Sequence, residues 1–526
     1  MTSRTLTLRG TAYPVVLPNV RDPRLHVAAV ILTVHLLGQV GLGFQLSVPQ
    51  LLAAMLTCAV LEVALTFRQT RSFVWPASAM LTGSGVALIF RLVGTPPGDH
   101  WSTYGWWAFA AVAGLSLLTK YLIRYRGSHV FNPSNIGLVV AFIVLGSSRA
   151  EPLDFWWAPL DIWMIAAYVI IIVGGLLITG RLQLLALAAS FWISLAVGVG
   201  ILAASGHCMI ANWAFAPVCG VDFWRVIVTS PEVLIFLFFM ITDPKTIPAG
   251  RVGRVVFGLL VAVASTLLMA PQTNEFGTKV GLLAGLVVVC AGRPILDRFL
   301  PAPQSVADDI GRFARGLARG GGVVGSAARV GLIGAAVLAV GAGIVVAGTP
   351  ARGAGVPDVA EILNRVPHHI DLSTFPTISV GQDVLDFDHA MAGPAAQELV
   401  LTLAENLELE NQALLRADGS ILAAVDHGDR LLEMQDRLRS SVTTGTIVIA
   451  HYRIDTVTMS LLVPFGRQDG LSIGLDSRGT VTTETYNASG SLQSRQTSPF
   501  ELTFALRRAT GGRWLNVAAL QPAAGG

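Results

Sequence analysis

Apolar residues fill the first 300 positions in runs of membrane length, broken by short polar stretches. The runs fall at about 26–46, 48–66, 73–93, 105–123, 133–147, 158–179, 183–203, 231–243, 253–270 and 278–295. Most approach the roughly 20 residues an α-helix needs to cross the hydrocarbon of a bilayer. The eighth is short and ends in Thr-Asp-Pro, the pattern of a broken or half helix whose polar end lines a cavity. An eleventh run, Val323 to Ala347, is rich in Gly, Ala and Val, and small residues suit close helix packing. Beyond Thr349–Pro357 the pattern changes. Val359–Leu363 and Ala395–Leu414 carry helical periodicity with Asp and Glu on one side. Period-two alternation follows at 446–454, 456–463, 471–476, 481–487, 500–506 and 514–520, with Arg478-Gly479 and Ala488-Ser489-Gly490 reading as turns.

The pattern predicts a polytopic α-helical membrane protein of about ten helices, with an eleventh helix and a C-terminal α+β domain of helices followed by an antiparallel meander. The expected divisions are an N-terminal segment 1–24, a membrane domain 25–300, a linker 301–322, the additional helix 323–348 and the α+β domain 358–526. Composition agrees. Mean hydropathy is +0.62 and only 13% of the 526 residues are charged, which excludes an ordinary soluble protein.

Charge adds an orientation. From Thr349 onward there are 13 Arg, no Lys and 20 Asp plus Glu, a balance of −7, so with a net charge of +3 the part before it carries +10. That charge sits in short loops and reads as topology, not as a nucleic-acid surface. With the N-terminus in the cytoplasm, 19 Arg and Lys lie inside. Outside are four: Arg91, Arg149, Arg225 and Lys279. The positive-inside rule then places the linker in the cytoplasm and the acidic C-terminal domain outside. The polar stretch Met1–Arg24 is longer than the basic region of a signal peptide, so the first apolar run reads as uncleaved. The loop from Ala204 to Pro231 falls outside, and its Trp213, Phe215, Phe223 and Trp224 read as interface anchors.

Polar groups inside apolar runs are the candidates for chemistry. Asn132 is a natural N-cap, with Pro133 in the first turn and Asn135 close behind. Thr242 and Asp243 end the eighth run on the same side. The bland reading is two capped helices; the functional one is a shared site, with amide, hydroxyl and carboxylate groups suited to a polar ligand or a cation. Glu62 near the end of the second run either pairs with Arg68 at the interface or belongs to a cation path. His35 reads as a histidine bonded to a neighbouring helix. Cys58 and Cys290 read as packing residues. Cys208 and Cys219 share one outer loop and can form a disulfide. Four dispersed cysteines cannot hold an iron–sulfur cluster unaided.

Three stretches together resemble the NqrB/RnfD family, the membrane subunits of ion-pumping flavin electron-transport complexes. They are Phe131-Asn132-Pro133-Ser134-Asn135-Ile136-Gly137, then Phe238-Phe239-Met240-Ile241-Thr242-Asp243-Pro244 with Arg251-Val252-Gly253-Arg254, and Ala79-Met80-Leu81-Thr82-Gly83 preceded by Glu62 and Arg68. The resemblance covers roughly 25–300. It implies a redox subunit binding riboflavin or FMN at Asn132, Asn135, Thr242, Asp243 and Thr82, an ion path at Glu62, and electron exchange with partner subunits or a quinone in the bilayer. The chain departs from the family in one respect. Members carry covalent FMN on a Ser/Thr-x-Ala-Thr threonine after the Phe-Asn-Pro helix, and this sequence has no such tetrapeptide. Any flavin is therefore expected to be noncovalent. Related sequences outside the respiratory complexes accompany enediyne natural-product pathways, and this chain resembles that divergent kind. The element order of the C-terminal domain is similar to the NTF2-like cone fold. Two other readings stay open: a transporter without redox chemistry, and a membrane anchor that displays an outer binding domain.

Overall fold

The computed structural model describes all residues except 1, 9–10, 97, 148, 153–161, 210, 212–217, 320–325, 352–365, 367–374, 388, 463–471, 509–512 and 522–526. The chain divides into two compact units, residues 1–209 with 218–352 and residues 210–217 with 353–526.

In the first unit all eleven apolar runs contain helix: α1 Pro23–Val40, α2 Val48–Thr70, α3 Ala77–Ile89, α4 Trp106–Leu122, α5 Pro133–Leu145, α6 Ile162–Arg181 and α7 Leu185–Ala204. They continue as α8 Gly220–Thr229, α9 Pro231–Ile235, α10 Arg251–Met269, α11 Glu275–Phe299, α12 Ile310–Arg319 and α13 Ser326–Ala347. Among the described residues, seven stretches are long and apolar enough to cross a membrane. α3, α4, α5 and the apolar part of α13 are shorter. The short ones have local causes. α5 starts at Pro133 and stops at Gly146, whose φ of 72° suits glycine. α3 stops where Phe90–Leu92 pairs with Ala150–Pro152 as a two-stranded sheet. At 13 residues each, α3 and α5 reach only about 20 Å. Apolar side chains also face outward around the unit, such as Leu36, Val60, Ile143 and Val144, each more than 60% exposed. A surface of that kind needs apolar surroundings.

Small residues set the closest helix contacts. A Cβ on Gly137 would sit 1.6 Å from Ser116 Oγ, and one on Gly83 would sit 2.5 Å from the Ala54 carbonyl oxygen. Both glycines belong to stretches that carried the family resemblance, and both serve packing.

The segments between the apolar runs carry structure of their own. The polar N-terminal segment forms a hairpin of β1 Thr2–Leu8 and β2 Thr11–Leu17, and β2 pairs in parallel with β3 Phe73–Val74. The alternation of Thr and Leu in the first eight residues is its sequence signal. The stretch 204–231, read as an outer loop, contains a helix, α8, which opens a candidate membrane span running from Gly220 to Met240. Phe223 in it is fully buried instead of anchoring at an interface, and Trp224 Nε1 donates to the Ala196 carbonyl at 2.8 Å. Trp213 and Phe215 lie outside the described residues. Cys208 and Cys219 are joined as a disulfide between two short paired strands.

In the second unit, α14 Gln382–Phe387, α15 Pro394–Arg416, α16 Gly419–Val425 and α17 Gly428–Thr444 precede the long strands. The sheet order is β4 Thr377–Val380, β5 Ile447–Leu462, β6 Ser472–Tyr486, β7 Leu492–Arg508 and β8 Trp514–Leu520. β4 runs parallel to β5, and the rest form an antiparallel meander. α15 lays Leu399, Leu403 and Leu407 on the sheet residues Val457, Met459, Leu475 and Phe504. A second cluster gathers Leu409, Ala413, Ile421, Val425 and Leu431 among α15, α16 and α17. The expected helix at 359–363 lies outside the described residues.

Arg478-Gly479 is not a turn. It lies inside β6, opposite a register shift in β5 between Ile454 and Thr456. The bulge brings the Arg453 carbonyl oxygen to 2.0 Å from where a Cβ on Gly479 would stand. Glycine here marks a close backbone approach. Gly479→Ala should therefore destabilise the second unit by about 1–3 kcal/mol, the usual cost of overpacking, read as a lower denaturation midpoint of the sheet's circular-dichroism signal.

Candidate functional site

The polar ends of α5 and of the broken eighth segment come together. Ser230, in extended conformation, separates α8 from α9 and caps α9 by accepting from the Val233 amide at 3.3 Å. α9 then widens into a π turn, Phe236–Met240, a distortion that recurs at functional sites. The residue four positions beyond Met240 is Pro244, which has no N–H to offer the Met240 carbonyl, and Asn132 Nδ2 donates to that carbonyl at 3.2 Å. Asn132 Oδ1 in turn accepts from the Asn135 amide at 3.2 Å as the N-cap of α5. One side chain thus starts one helix and finishes another.

Asn135 is 1% exposed, and its Nδ2 donates to the Leu283 carbonyl of α11 at 2.9 Å. Its Oδ1 has no partner among the described residues. Thr242 Oγ1 donates to the Phe238 carbonyl. Asp243 Oδ2 faces His129 Nε2 at 3.0 Å, and Oδ1 accepts from the Lys245 amide at 3.1 Å. Arg293 of α11 donates to the Lys245 carbonyl at 2.9 Å. Sequence reasoning missed His129 entirely. Its only signal is position, three residues before Asn132 in a short β-hairpin whose strands are Arg124–Tyr125 and Ser128–His129.

Thr82 and Glu62 belong to a different cluster. Thr82 Oγ1 donates to the Ser78 carbonyl in its own helix at 3.2 Å. Glu62 pairs with Lys120 at 2.8 Å and accepts from the Tyr121 hydroxyl at 2.6 Å, while Lys120 Nζ also lies 3.4 Å from Ser78 Oγ. The expected Arg68 partner is replaced by Lys120, which α4 carries to the face of α2 that Glu62 occupies. α3 still links the two clusters, because a Cβ on Gly85 would sit 3.2 Å from Ser134 Oγ of α5. His35 is buried, with Nε2 at 3.2 Å from the Ser84 carbonyl on α3.

A third cluster was not foreseen. Lys279 of α11 pairs with Glu275 at 2.7 Å and with Glu232 at the start of α9 at 3.4 Å. Glu232 and Lys279 border a recess of about 40 Å³ lined also by Ile235, Phe236, Leu282 and Leu283. That volume suits a water or a small ion; an isoalloxazine ring is several times larger. The i, i+4 spacing of Glu275 and Lys279 and the Ser-Pro-Glu start of α9 are the legible signals. Two charges counted as outer-loop residues, Arg91 and Lys279, are thus largely buried in ion pairs, Arg91 with Glu151.

Among the described residues at these helix ends, Asn135 Oδ1 is a buried acceptor without a protein partner. The groups of Asn132, Thr242 and Asp243 already hold protein partners and would meet a ring only by exchanging them. Among the described residues no group of three or more His, Cys, Asp or Glu is placed to hold a metal. Neither a protein-family model nor a curated protein sequence matches this chain.

Proposed function

We propose that the chain is an integral-membrane electron-transport subunit similar to NqrB/RnfD, with a noncovalent riboflavin or FMN as its redox group and a quinone or partner subunits exchanging electrons with it. One observation carries the reading. Two stretches bearing the resemblance, more than 100 residues apart in sequence, meet through the bond from Asn132 to Met240, and α3, bearing the third, adjoins them at Gly85 and Ser134. When bound, flavin supplies one- and two-electron chemistry, and the protein supplies position, hydrogen bonds and exclusion of water. In this chain Asn135 Oδ1 would accept from the ring edge, and the His129–Asp243 pair would set the charge beside it. The cytoplasmic N-terminus and outer, NTF2-like C-terminal domain form part of the same proposal, on the charge distribution and element order.

The test is the cofactor content of the full chain, purified in detergent under mild conditions. Acid release should yield about one flavin per chain in the supernatant, and the denatured band should not fluoresce. A fluorescent band would place flavin on a covalent site elsewhere. Protein isolated without flavin, in membranes that contain it, would overturn the redox reading.

The Glu275–Lys279–Glu232 cluster favours a second reading, a cation-translocating protein without redox chemistry. Ion-paired groups within apolar helices beside a broken helix commonly mark an ion pathway. Flavin-free protein that moves a cation across vesicle membranes would establish it.

A further inference from the structure

The segment that joins α11 to α13 carries a site of its own. α12 reads Ile310-Gly311-Arg312-Phe313-Ala314-Arg315-Gly316-Leu317-Ala318-Arg319. Its apolar residues recur at three- and four-residue spacing, with arginines between them. Such a basic amphipathic helix suits the plane of a membrane interface. Its start is fixed to the first unit by Asp308, whose carboxylate accepts from the Val252 amide at the head of α10 at 3.0 Å and from the Gln304 amide at 3.2 Å. Asp309 Oδ1 accepts from the Arg312 amide at 2.8 Å and caps the helix.

Between α12 and α13 lies a groove of about 680 Å³. Val306, Ala307, Phe313, Leu332 and Ile333 give it apolar walls, and Arg312 stands among them. Among the described residues the Arg312 guanidinium makes no ion pair. Arg315, one turn further on, donates to the Gly311 carbonyl at 3.1 Å and makes no ion pair among the described residues. Leu332 is 65% exposed on a helix whose other face is apolar too. The groove therefore combines a hydrocarbon wall with a cation at one rim.

We propose that this groove binds one anionic phospholipid, with an acyl chain along Phe313, Leu332 and Ile333 and the headgroup phosphate on Arg312 and Arg315. Charge complementarity selects the occupant. A zwitterionic lipid fills the apolar wall equally well but offers the arginines no net charge, whereas an anionic leaflet attracts each basic residue at its surface. Arginine pairs with phosphate through a bidentate fork. The site is independent of the flavin proposal.

The experiment uses the full chain in neutral detergent and native mass spectrometry with added phosphatidylglycerol or phosphatidylcholine. Phosphatidylglycerol should be retained at one copy, at least tenfold over phosphatidylcholine, and soluble glycerol phosphate should not displace it. Arg312→Gln with Arg315→Gln should weaken retention roughly fivefold per arginine. Ile333→Trp, which fills the groove and keeps the charge, should also reduce it. Equal retention of the two lipids, displacement by glycerol phosphate, or unchanged retention in the arginine variant would each overturn the proposal. Should that variant not fold, the comparison of the two lipids on the unaltered chain decides.

Discussion

Replacing Arg430 by Met should destabilise the second unit by about 3–5 kcal/mol, the cost of removing one partner from a buried ion pair. Arg430 is 5% exposed and Glu410 3%. The guanidinium meets the carboxylate through two bonds, Nε donating to Oε1 at 2.9 Å and Nη2 to Oε2. Asn516 Nδ2 also donates to Oε1 at 2.9 Å, and Asn406 Nδ2 donates to Asn516 Oδ1 at 3.2 Å. Arg430 Nη1 also donates to Glu433 at 2.9 Å, and that carboxylate, 42% exposed, is where the network meets solvent. Without Arg430, Glu410 keeps a charge that only amides stabilise. Urea unfolding of the full chain, followed through the sheet signal, checks the size; a loss under 1 kcal/mol would mean that water reaches Glu410.

The same network contains a carboxyl whose effect has the opposite sign. Asp426 is 1% exposed, and burial, then the adjoining Glu410 carboxylate, raises its pKa well above the usual carboxylate value. The folded state therefore keeps a proton that the unfolded chain releases above about pH 4. Its contribution to stability is fully present below that pH and is lost as pH rises toward the raised folded value. Asp426→Asn holds a neutral group of the same shape, so it should leave stability unchanged near pH 4 and increase it at pH 7. A variant equally stable to the wild type at both pH values would show that Asp426 is ionised in the fold.

Much of this architecture is legible in the chain, for reasons that differ between the units. The apolar runs give the helices because periodicity and length act locally. They do not give their number of crossings: α3 and α5 are cut to 13 residues by a sheet pairing and by a left-handed glycine, and only the first depends on distant residues. In the second unit, α16 and α17 were not foreseen. Asp418, Gly419 and Gly428 read as loop signals in sequence, yet Asp418 is the N-cap of α16, accepting from the Ser420 amide at 3.0 Å. Gly479 looked like a turn because a glycine inside a strand and a glycine in a turn share a composition; only the bulge across the sheet separates them. The candidate site was legible as far as its helix ends. Asn132 and Asp243 each announce a terminus, but partners such as Lys120 for Glu62, or Lys279 for Glu232, depend on which helix faces come together.

Asn132→Ala should be the most damaging single change at the paired helix ends. It removes the N-cap of α5, worth about 0.5–2 kcal/mol. It also leaves the Met240 carbonyl buried without its donor, at about 1–3 kcal/mol. Together these predict a loss on the order of 2–4 kcal/mol. Asp243→Asn separates structure from function. Asn Oδ1 still accepts from the Lys245 amide, and its Nδ2 can donate to a ring nitrogen of His129, so as a cap it should cost within about 1 kcal/mol. If the carboxylate serves a bound flavin or cation, retention should fall roughly tenfold or more, because charge-assisted bonds carry about 1.5–3 kcal/mol. The double variant Asn132→Ala, Asp243→Asn should be non-additive in retention only if both side chains serve one ligand. Additive retention with additive loss of thermal stability would make the pair a structural clasp between two helix ends and return the weight to the cluster around Glu232 and Lys279.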